Sequence, residues 1–100
     1  MAIVNSIHAA DIVRRVAELV REEPSVRSLY YRQSGEVAEF WLLSEPIDPD
    51  TERQVRQIRR TLFDKFPDAL FEFHLINPRL SEDLDPRVLI PEDATLVTML

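Results

Sequence analysis

Gly35 is the only glycine in this chain of 100 residues. It stands between two runs rich in β-branched and aromatic side chains, Val26 to Arg32 and Val37 to Leu43. Glycine takes a positive φ without the steric penalty that a Cβ brings. Gln33-Ser34-Gly35-Glu36 therefore reads as the turn of a β-hairpin. The scarcity of glycine also excludes a loop that cradles phosphate by close backbone approach.

The hairpin lies between two segments with helical spacing. Over residues 6–23, Ile12, Val13, Val16, Leu19 and Val20 recur at helical intervals, with Arg14, Arg15, Glu18 and Arg21 mainly on the other side. Ser6 is the expected N-cap, and Pro24 closes the segment because it disfavours helical geometry in the residue before it. In the second segment Asp48 is the expected cap and Pro49 the first helical residue. Val55, Ile58, Leu62 and Phe66, helped by Phe63, form its buried stripe, and Pro67 ends it. Leu70 to Ile76 is a third strand, broken by Asn77-Pro78. Leu84, Val88, Leu89 and Ile90 are expected anchors of an irregular stretch, and Thr95 to Met99 a short last strand.

The order α-β-β-α-β predicts one α+β domain over residues 1–100. It is a two-layer sandwich, with two helices on one face of a mainly antiparallel sheet of three or four strands. In this reading residues 1–5 form an N-terminal arm and residues 77–100 a tail packed on the core.

Side chains alternate across a strand. Ala38, Phe40 and Leu42 share one face of the second strand, and Phe71, Phe73 and Leu75 one face of the third. These sets form the natural floor for the helices. The opposite face then carries Glu39 and Trp41 on one strand, Glu72 and His74 on the other. It is expected to be open, a binding surface with Trp41 as its aromatic centre. The plainer alternative is a solvated polar face with Trp41 under the C-terminal tail. Of Tyr30 and Tyr31, one must accompany the helices and the other can join Trp41.

Net charge is −6, which disfavours bulk attraction to nucleic acid or an anionic membrane surface. Eleven of the twelve basic residues are arginine. Arg53, Arg56, Arg59 and Arg60 crowd the second helix, and pairing with Asp50, Glu52 and Asp64 is the favoured reading of that cluster. The absence of cysteine excludes disulfides and thiolate metal sites. No apolar run approaches the ~20 residues that span a bilayer. The first residues do not resemble a signal peptide, so a cytoplasmic location is expected. Glu72 and His74, with Glu39 alongside, offer carboxylate and imidazole ligands of the kind that suit Zn²⁺ or Mn²⁺. His8 is expected at the surface.

The element order, with Glu39 on the second strand and Glu72 on the third, resembles the minimal nucleotidyltransferases, including their antitoxin-type members. Asp83-Leu84 and Ile90-Pro91-Glu92-Asp93-Ala94 resemble the short tail that closes such domains. The resemblance implies carboxylates that bind two Mg²⁺ ions and hold nucleotide phosphates. Glu39 falls at the first acid of the family's Asp-x-Asp pair, Trp41 at the second, and Glu72 near the third-strand acid. The family's Gly-Ser is not present, since Ser34-Gly35 is reversed and lies in the turn. Tryptophan cannot bind a metal, so the degenerate motif shifts the expectation from catalysis to contact.

The functional expectation is a non-catalytic, nucleotidyltransferase-like domain. It would contact a protein partner, or a second copy of itself, through Glu39, Trp41, Glu72 and His74. No cofactor is expected. The alternative is a metal-dependent nucleotide-binding or nucleotidyl-transferring protein that uses Glu39, Glu72 and His74.

Overall fold

The computed structural model describes residues 2–78 and 85–97. Helix α1 spans Ala2–Arg21, strand β1 Val26–Ser34, β2 Val37–Ser44, helix α2 Pro49–Lys65 and β3 Leu70–Ile76. A 3₁₀ turn at Pro86–Leu89 precedes the short strand β4, Thr95–Val97. The sheet order is β3-β2-β1-β4. β1 lies antiparallel to both β2 and β4, and β3 runs parallel to β2. The parallel pair follows from α2, a crossover long enough to bring the chain back in the same direction. This is the expected α+β class, with a mostly antiparallel four-stranded sheet.

Two local readings change. α1 begins at Ala2, so Ser6 lies within the helix instead of capping it, and the expected arm is helical from Ala2 onward. No glycine or proline stands between Ala2 and Ser6 to stop the helix there. The hairpin turns at Gly35-Glu36, one residue later than the Ser34-Gly35 centre of a turn over residues 33–36. Gly35 has φ +59, the conformation a two-residue turn needs when glycine is its first central residue. The shift sets the register: Ser34 pairs with Val37, Arg32 with Glu39, and Tyr30 with Trp41.

The helices and the inner sheet face enclose one core. Ile12, Val16 and Val20 of α1 meet Val55, Ile58 and Leu62 of α2 over Leu29, Ala38, Phe40 and Leu42. Phe40 is fully buried and stacks on Phe73 at 5.0 Å between ring centroids. Tyr31 packs against this core, and burial raises its pKa above the ordinary tyrosine value. Phe71, Phe73 and Leu75 are only half-buried, because they lie toward the sheet edge.

The α2 start follows the expected rule. Asp48 Oδ1 accepts from Thr51 N at 2.7 Å, and Pro49 opens the helix. The loop before it is held from a distance. Asn77 Nδ2 donates to Ile47 O at 3.0 Å, and Asn77 Oδ1 accepts from Ile47 N at 3.2 Å. Asn77 thus satisfies both backbone groups of a buried residue. Two partly buried hydrogen bonds contribute about 1–3 kcal/mol together. Asn77→Ala is expected to lower the unfolding free energy by that amount, as read from the urea midpoint at unchanged slope.

Candidate functional site

β2 brings Glu39 and Trp41 onto the outer face, β3 brings Glu72 and His74, and β1 adds Tyr30 and Arg32. Glu39 is aligned with Glu72, and Trp41 with His74. The four expected residues are therefore neighbours. One ligand atom each from Glu39, Glu72 and His74 lies within 4.8 Å of the others.

Arg32 organises this face. Its Nε and Nη2 donate to Glu39 Oε1 at 3.1 and 3.0 Å, and its Nη1 donates to Asp93 Oδ1 at 2.9 Å. The guanidinium carbon stands 5.4 Å from the Trp41 ring centroid, within cation–π range. On the other side of Trp41 the His74 ring is stacked, with centroids 5.2 Å apart and planes 15° apart. His74 Nε2 lies 3.7 Å from Glu72 Oε2. The hydrogen bonds that Arg32 donates to Asp93 and then to Glu39 raise its pKa further above the ordinary arginine value.

Trp41 does not form the expected open aromatic patch. Trp41 is 5% exposed, held between Arg32 and His74. The Glu39 side chain is 12% exposed, covered within the arginine pairing. β2 reads buried on both faces at Phe40-Trp41-Leu42. Only Glu72 and His74 remain exposed among the four. The segment before β4 reaches this site through the Arg32–Asp93 pair, and Tyr30 is the least of the influences that raise the Arg87 pKa. The larger influence on Arg87 is its hydrogen bond with Asp85, whose own pKa is lowered by the same contact.

Three further expectations meet the structure. Val88 and Leu89 are 68% and 54% exposed, so they are not anchors. Both lie in the 3₁₀ turn Pro86–Leu89, and neither is among the residues packed on the core. Val88→Ser is accordingly expected to change stability by no more than about 0.5 kcal/mol in chemical denaturation. Of the four α2 arginines, Arg56 pairs with Glu52 at 3.0 Å and Arg53 with Asp50, whereas the expected pairing of Arg59 and Arg60 with Asp64 is not formed. The Asp83-Leu84 pair and the His8 side chain lie outside what the structure describes.

Arg32 and Asp93 are the site residues that sequence reading missed. The hairpin register carried the signal for Arg32, since a Gly35-Glu36 turn places it opposite Glu39. Nothing local signalled Asp93.

The two-Mg²⁺ arrangement implied by the nucleotidyltransferase resemblance does not fit these residues. A buried indole fills the place of the second acid, and a guanidinium already neutralises Glu39. Among the described residues, no helix is long and apolar enough to cross a membrane. Searches of protein-family models, curated proteins and solved structures find no match to this chain.

Proposed function

We propose that this domain acts by protein–protein contact, without chemistry of its own, and that the contact lies along the β3 side of the site instead of at Trp41. One observation carries this reading. β3 is a seven-residue edge strand, Leu70-Phe71-Glu72-Phe73-His74-Leu75-Ile76, with no lysine, arginine, proline or glycine in it. Exposed edges present unpaired backbone groups, and proteins commonly blunt them with charged side chains, lysine above all, and with proline. Glu72 is the one acid or base of that kind on β3. Exposed Leu70 and half-buried Phe71, Phe73 and Leu75 lie on the strand, and exposed Phe63 stands beside it. A groove of about 170 Å³ between α2 and β3 continues this apolar strip, lined by Leu42, Val55, Phe73 and Leu75 beside Arg56 and Arg59. Peptide segments and folded partners add to such edges through main-chain hydrogen bonds. In this reading the chain keeps the scaffold of the nucleotidyltransferases it resembles without their metal chemistry.

A photo-crosslinking side chain placed at position 72 in cells, with position 53 on the exposed face of α2 as control, tests this. A covalent adduct from position 72 and none from position 53 is expected. Equal capture from both, or none from either, contradicts the reading.

A second reading rests on the grouping of Glu39, Glu72 and His74. Carboxylates with imidazole suit Zn²⁺ or Mn²⁺ better than Mg²⁺. Arg32 competes for Glu39, so any such site is weakened by a fixed positive charge. Calorimetric titration with Zn²⁺ and Mn²⁺ checks it: heat that disappears in Glu72→Gln supports a metal centre, and no heat dismisses it.

A further inference from the structure

We propose that the occupant of the β3 edge is a second copy of this chain, paired antiparallel about a two-fold axis at Phe73. The inference rests on the contact reading above and adds the partner and the register.

β3 is self-complementary in this arrangement. With Phe73 opposite itself, Phe71 faces Leu75 of the other copy, and Leu70 faces its Ile76. Glu72 faces its His74, and His74 its Glu72. Every apolar side chain meets an apolar one, and each carboxylate meets an imidazole. Polar and aromatic cross-strand pairs are among the units that stabilise such a ladder. Moving the axis to Glu72 sets two carboxylates face to face. Moving it to His74 sets two imidazoles face to face and Glu72 against Ile76. Placing the axis between residues sets the polar face of one strand against the apolar face of the other, the cost of any one-residue slip. Phe73 is the centre that satisfies all seven positions.

The packing agrees. Glu72 and His74 are the exposed members of the site, at 59% and 45% of their side chains, whereas Glu39 and Trp41 are spent inside the chain. The axis at Phe73 keeps the helical layers of both copies on one side of a continuous eight-stranded sheet. There Phe63, 48% exposed and edge-on to Phe71, lies beside the new seam. Among the described residues the opposite edge, β4, spans Thr95–Val97 against the seven residues of β3, so β3 offers the longer ladder.

The chain has no cysteine, so single substitutions give single thiols. Glu72→Cys and His74→Cys are both at exposed positions. Sedimentation of the unmodified protein over a range of concentrations is combined with oxidation of the two variants, alone and mixed. In the proposed register residue 72 stands opposite 74, at the ~5 Å Cα spacing a disulfide accepts. Residue 72 lies diagonally from its own copy, beyond the ~7 Å limit. The expected result is a concentration-dependent dimer and a disulfide that forms at least tenfold faster in the mixture than in either variant alone. A dimer without that preference overturns the pairing and leaves the contact reading standing. A monomer at all concentrations that still gives a position-72 adduct of another mass overturns the second copy as occupant. A monomer with no such adduct overturns both.

Discussion

Replacing Trp41 with alanine is expected to cost about 3–5 kcal/mol of stability, the range for emptying a large aromatic site in a core. The side chain is 5% exposed and lies between the Arg32 guanidinium and the stacked His74 ring. Truncation leaves a cavity and removes the surface on which both neighbours rest. For a 100-residue domain such a loss lowers the melting temperature by more than ~10 °C, as followed by far-ultraviolet circular dichroism. Trp41→Phe retains an aromatic filler and is expected to lose far less. An exposed contact anchor behaves in the opposite way: its truncation leaves stability within ~0.5 kcal/mol and affects only binding. Trp41 is the only tryptophan, so its emission reports the same question in the unmodified chain. A buried indole resists iodide quenching.

Phe40→Ala is expected to be as damaging, again about 3–5 kcal/mol. Phe40 is fully buried on the other face of β2, stacked on Phe73 at 5.0 Å and tilted against Tyr31 at 5.4 Å. Its loss uncouples the floor of the core from the edge strand. Aromatic contacts of this kind add ~0.5–1.5 kcal/mol beyond area burial, so Phe40→Leu should recover the filling and not the stacking. Urea unfolding distinguishes the two variants. Large and similar losses at adjacent positions 40 and 41 are the signature of a strand covered on both sides.

That double coverage explains what could be read from the sequence and what could not. Helical spacing, the Asp48-Pro49 start and the alternation of β3 depend on local chemistry, and the structure carries all of them. The four residues of the expected site are adjacent because strand alternation is a local property too. Exposure is not local. Trp41 is placed on the outer face as expected, but its burial depends on Arg32 from another strand and on the register of the hairpin. The apolar run Phe40-Trp41-Leu42-Leu43 held a hint, since strands covered on both faces read as continuous apolar stretches. The Arg32–Asp93 contact joins residues far apart in the chain, and no spacing rule predicts it.

The site thus divides in two. Glu39 and Trp41 are engaged by Arg32, which also binds Asp93, while Glu72 and His74 stand on an edge strand with apolar neighbours. Amide hydrogen exchange along Leu70–Ile76 in the intact chain, measured from dilute to concentrated solution, tests this division most directly. The account predicts that the β3 amides not bonded to β2 exchange rapidly when dilute and become protected as concentration rises. Protection that is the same at every concentration, or rapid exchange throughout, would contradict it.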